Sequence, residues 1–183
     1  MRNLKLDRLL QGFVIGLAVP TLALAAAMSS ADYSAAKDRA ATEYKAARAQ
    51  CDSMSGNQKD VCIAQAKAAE KRAVAEAEAQ YKNTDKARAD ARIAAAEADY
   101  DVAKAKCDAR TGNDKDVCMK EAKAAEVKAK ADAKASEKVA AIRQDAREDK
   151  LDADYKVALE KCDAMSGPAK DSCVANAKAK YQK

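Results

Sequence analysis

Apolar and small residues recur along this chain at alternating steps of three and four. Tyr33, Ala36, Ala40, Tyr44, Ala47, Cys51 and Met54 form one such stripe, and Ala89, Ile93, Ala96, Tyr100, Ala103 and Cys107 form another. That spacing predicts amphipathic helices. Beyond a short polar interruption the stripe resumes, with Cys62, Ala66, Ala69 and Ala73 after the first and Cys118, Ala122, Ala125 and Ala129 after the second. Each interruption holds a glycine, Gly56, Gly112 or Gly167, placed where a left-handed residue ends a helix. Asn57 with Asp60, and Asn113 with Asp116, read as an N-cap with an acid three residues on. In the last interruption Pro168 stands where the others have Asn, which suits a first helical turn.

The pattern is a repeat. Tyr44 to Cys62, Tyr100 to Cys118 and Tyr155 to Cys173 all follow Y-x6-C-D-x-x-S/T-G-x-x-K-D-x-C. Their first cysteines lie 56 and 55 residues apart, a period that marks a repeated supersecondary unit. Each unit reads as an antiparallel helical hairpin. Cys51 and Cys62 are equidistant from the turn, as are Cys107 and Cys118, and Cys162 and Cys173. Residues equidistant from the turn of a hairpin lie at one height, and both members sit on the apolar stripe. The spacing therefore predicts three disulfides, one per hairpin, with alanines allowing the close approach that a disulfide needs. Tyr44, Tyr100 and Tyr155, two turns below each staple, are expected to pack over the alanine-rich seam.

The expected fold is all-α: three tandem disulfide-stapled hairpins, elongated or loosely bundled, with long coiled-coil-like helices. The units are residues 26–84, 85–138 and 139–183. Asn83-Thr84-Asp85 predicts a break between the first two. Near Lys138 to Ala140 there is no Gly, Pro or Asn, so one helix is expected to run on to Met165. The inter-staple helices carry Glu78/Lys82, Glu126/Lys130 and Asp152/Lys156 at favourable spacing. Like-charged pairs such as Lys67/Lys71 and Arg143/Arg147 oppose them, so these helices should lean on neighbours. The central staple, flanked by long alanine-rich helices, is expected to contribute most to order.

Residues 1–25 read as an export signal. Met1 to Arg8 is basic, Leu9 to Leu24 is apolar, and cleavage is expected after Ala25 or Ala27. Removing the segment leaves no stretch long enough for a stable membrane span. An uncleaved inner-membrane anchor is the lesser reading. Export places the cysteines in an oxidising compartment, the periplasm.

Composition narrows the function. Of 183 residues, 34 are Lys or Arg, 29 are Asp or Glu, and none is His or Trp. The net charge of +5 falls to +3 without residues 1–25, because Arg2, Lys5 and Arg8 outnumber Asp7 there. The remaining charges interleave instead of forming the basic stripe that nucleic acid requires. Without histidine, a phosphate loop or a nucleophile motif, no enzyme, catalytic residue or cofactor is expected. A non-enzymatic structural or protein-interaction role follows, with an envelope protein or a second copy as partner. Two alternatives use the same residues. Cys, Met and Tyr could bind a soft metal or small ligand, although no metal site is assigned; or the helices could serve stress protection, folding only when dried or bound.

The chain resembles the periplasmic helical region of TolA-type cell-envelope proteins, in its signal peptide followed by Ala/Lys/Glu/Asp-rich helix over about residues 31–183. The tandem cysteine units are similar to those of small exported proteobacterial proteins, mostly uncharacterised and sometimes given a TolA-like label. The resemblance implies an envelope location and brings no functional residue with it.

Overall fold

The computed structural model describes residues 28–183. The signal segment and the sites after Ala25 and Ala27 lie outside that range. Among the described residues five α-helices follow one another: α1 (Ser30–Gln50), α2 (Gly56–Lys82), α3 (Asp85–Cys107), α4 (Gly112–Asp163) and α5 (Gly167–Tyr181). A single 3-10 turn, Cys51–Ser53, follows α1, and the described residues contain no strand.

Local chemistry sets the ends. Ser29 caps α1 by accepting a hydrogen bond from the Asp32 amide at 3.1 Å. Between α2 and α3 the chain reverses in two residues, as expected. Asn83 takes the left-handed conformation (φ 46°, ψ 40°), and the Thr84 side chain accepts from the Ala87 amide at 3.1 Å. Asn is among the few residues that tolerate that conformation. No such residue interrupts α4, which therefore runs for 52 residues, about 78 Å at the α-helical rise. The 138–139 boundary between the second and third repeats falls inside this helix.

Among the described residues each helix packs on its sequence neighbours only: α1 on α2, α2 on α3, α3 on the first half of α4, and the end of α4 on α5. The first four helices thus form a row, not a closed bundle. The interior of the row is almost entirely alanine. A helix with a neighbour on each side needs two stripes, and α3 has them. Ala89, Ala96 and Cys107 face α4, while Ala87 and Ala91 meet Ala75 and Ala79 of α2. Alanine brings helix axes together but gains little free energy per residue. Alternation within one chain places the first two stapled turns at the same end of the row. The third lies at the far end of α4, with Cys162 44 positions after Cys118, roughly 66 Å. Between the two packed regions, residues 141–151 of α4 are exposed on every side.

Candidate functional site

The repeated turn is the feature the chain builds three times. Cys51 joins Cys62, Cys107 joins Cys118 and Cys162 joins Cys173, with Cα separations of 5.7, 5.6 and 5.6 Å. These distances fall within the usual range for a disulfide. Cys51, Cys107 and Cys162 are fully buried, the largest side chains among the described residues that are. The sulfurs plug the closed end of each alanine seam.

An ion pair crosses every turn beside the disulfide. Asp52 meets Lys59 at 3.1 Å, Asp108 meets Lys115 at 2.8 Å, and Asp163 meets Lys170 at 2.8 Å. This explains the C-D and the K of the repeat, which the sequence displayed without revealing that they touch. Lys59 and then Arg48 hold the Asp52 carboxyl below its usual range, and Asp163 raises the Lys170 ammonium. All three pairs are solvated, so each contributes little on its own.

Gly56, Gly112 and Gly167 have φ of +55°, +55° and +58°. The left-handed conformation was expected, but its place differs. Each glycine opens the following helix, after an extended Ser55, Thr111 or Ser166, where it was expected to close the preceding one. The N-cap expectation for Asn57 also fails, because Ser55 occupies that position. The Asn57 amide instead donates to the Ala105 carbonyl of α3 at 2.7 Å, tying the first turn to the second.

The tyrosines differ from one another. Tyr100 is half-buried in a groove of about 240 Å³ between α3 and α4, beside Ala96, Ala103, Ala122 and Ala125. The Lys123 ammonium lies 5.1 Å from its ring centre. Tyr155 meets Tyr181 of α5 with ring centres 6.0 Å apart. Tyr44 is half-buried on α1. A pair that sequence reasoning missed, Tyr33 and Tyr81, stacks at 4.9 Å and closes the open end of the first hairpin. The mirror rule that paired the cysteines also pairs these tyrosines, to within one residue.

A chain of charges binds the row crosswise. Lys71 of α2 and Lys130 of α4 each lie 2.8 Å from Glu97 of α3. Lys130 also contacts Glu126 at 2.8 Å, and Lys123 reaches Glu126 at 2.7 Å. Glu126 is buried, at 6% exposure. Hydrogen bonds from Lys130, then Lys71, pull the Glu97 pKa down to about 2. Lys123, then Lys130, lower that of Glu126, while Glu126, then Glu97, raise that of Lys130. A second α2–α3 pair joins Arg72 to Asp99. Of the expected pairs within one helix, Glu78/Lys82 and Glu126/Lys130 form, whereas Asp152 is taken by Lys183 instead of Lys156.

Chemically this arrangement holds surfaces in place. The described cysteines are all in disulfides and in that state offer no thiolate to a metal. The described residues contain no group of three or more His, Cys, Asp or Glu placed to hold a metal ion, and no helix long and apolar enough to cross a membrane. The groove beside Tyr100 is mostly alanine-lined, whereas that between the start of α3 and α4 is lined by Asp85, Arg88, Arg92, Glu137 and Arg143. Comparison with protein-family models, curated proteins and solved structures gives no match to this chain.

Proposed function

We propose that this chain is an exported, non-enzymatic helical-repeat protein with a structural or protein-binding role in the cell envelope. The observation that carries the reading is the threefold recurrence of one oxidised turn, each copy with a disulfide of the same span and an ion pair across it. Stable disulfides belong to exported proteins, and a chain with an alanine core depends on such staples more than one with a leucine core. The signal-like N-terminus and the compositional likeness to TolA-type stalks support the periplasm as the compartment. Rigid helices with interleaved charge suit the role of spacer or docking surface.

Fractionation with intact-mass measurement in the absence of reductant tests the proposal. The expected species is periplasmic, begins after Ala25 or Ala27, and weighs six hydrogens less than the fully reduced chain. Recovery from the cytoplasm with free thiols would overturn it.

A further inference from the structure

In a tandem repeat each unit buries its second face against the next unit. The first two hairpins do so through α2 and α3. The second and third hairpins do not, because α4 runs straight through the point where the chain would have to reverse. The spacing shows what is missing: Cys107 lies 45 positions after Cys62, but Cys162 only 44 after Cys118. The Asn83-Thr84 break has no counterpart.

Both halves of the unmade interface therefore lie on α4. Carrying the α2 positions forward by 56 residues places Ala68, Lys71, Ala75 and Ala79 at Ala124, Val127, Ala131 and Ala135. Carrying the α3 positions forward by 55 places Ala87, Ala91, Ala98 and Val102 at Ile142, Ala146, Ala153 and Val157. All eight are exposed. Together they form one stripe, in steps of three, four and seven residues, from Ala124 to Val157 on the face away from α3. Val127, Ile142 and Val157 are 55%, 65% and 55% exposed, and apolar side chains in such a row mark an interaction surface.

We infer that two copies of this chain pair through antiparallel α4 helices, each supplying the other with the third hairpin that its own second hairpin lacks. The geometry closes on a two-fold axis. Contacts between α2 and α3 join residues whose numbers sum to about 166–171, as in Ala75 with Ala91 or Arg72 with Asp99. The equivalent sum for α4 against its copy is therefore about 277–282, so the axis passes beside Val139 and the helices overlap from end to end. This is domain swapping with a continuous helix as the hinge.

Two details outside the apolar stripe agree. The Arg72–Asp99 ion pair corresponds to Lys128 and Asp154 of the second copy, which keeps the charges complementary. Asn57, which bonds the carbonyl of Ala105 in the next hairpin, corresponds to Asn113, placed to do the same at Glu160 of the second copy. At the equivalent position of the third hairpin stands Pro168. The Lys71–Glu97 pair is not reproduced; Val127 replaces the lysine, and Asp152 pairs with Lys183 of its own chain.

The test is independent of where the protein resides. Sedimentation equilibrium of the protein with its disulfides intact should give twice the chain mass. In a variant with both Ala131→Cys and Ala146→Cys, counterparts of Ala75 and Ala91, mild oxidation should yield a covalent dimer. Those positions are 15 residues apart on one helix, about 22 Å, so they cannot bond within a chain. Ala131→Cys alone should stay uncrosslinked; a disulfide there would mean parallel pairing and overturn the inference. Inserting Asn after Lys138 together with Val139→Thr restores the break, and should give a monomer whose third hairpin folds back. A wild-type monomer across a concentration series, or a dimer that survives the restored break, refutes the swap.

Discussion

Replacing Cys162 and Cys173 together by alanine should release α5 locally while leaving the four-helix row folded. The loop they close spans 12 residues, and the chain-entropy model assigns such a closure about 2.8 kcal/mol. What else holds α5 is slight. It has 15 residues, a length at which an isolated helix is marginal. It packs on α4 alone, buries only Ala177, and adds the tilted Tyr155–Tyr181 contact. With so little in reserve, the loss should appear as local opening. At tenfold per 1.4 kcal/mol, hydrogen exchange of the amides from Val174 to Lys180 should accelerate about 100-fold. Amides of α2 and α3 should keep their wild-type protection. The same replacement at Cys107 and Cys118 removes a loop of equal length, but there the Ala89/Ala96 seam and the Glu97–Lys130 pair still join α3 to α4. That variant should remain helical and melt cooperatively about 6–11 °C lower, at 2–4 °C per kcal/mol for a chain of this size. Unchanged α5 exchange in the first variant, with collapse of the row in the second, would refute the reasoning.

Two further outcomes follow from the turns and the charged seam. Gly112→Ala should lower stability by about 1–2 kcal/mol, read from the urea midpoint, because φ is +55° and a Cβ there meets nothing within 4 Å; the cost is then the left-handed backbone alone. Glu97, held near 2 against an ordinary 4.5, contributes stability that is complete above pH 4.5 and is lost as pH falls toward 2. Glu97→Gln should remove that share of the acid-side loss, which urea midpoints compared across this window will detect, and a carboxyl NMR titration should find the Glu97 midpoint well below 4.5 in the wild type.

Much of the fold was legible because its signals are local or periodic. The three-and-four stripes identified the helices, and the equal distances of paired cysteines from the midpoint of each turn identified the disulfides. Asn83-Thr84 marked one reversal, and the lack of any breaker near Lys138 marked the continuous α4. The misassigned features depend on more than one element. Asn57 looked like a cap because the residues around it fit a cap; its partner is a carbonyl 48 positions away. Asp152 looked paired with Lys156, one turn along, but Lys183, just beyond α5, reaches it instead.

Sequence by itself determined the secondary structure, the cysteine pairing and the reason for both: helix periodicity and turn chemistry act over a few residues, and a hairpin's mirror symmetry needs only counting. Tertiary structure decided which faces are used. Alanine occurs on nearly every face of α2 and α3, so composition could not separate a stripe that meets one neighbour from a stripe that meets two. Only packing showed Ala68, Ala79, Ala87 and Ala91 buried between hairpins, Glu97 shared between lysines of two helices, and the third hairpin standing apart from the row. Those results depend on which helices become neighbours, and a repeat in sequence leaves that open until the connections, one broken and one continuous, place the units in space.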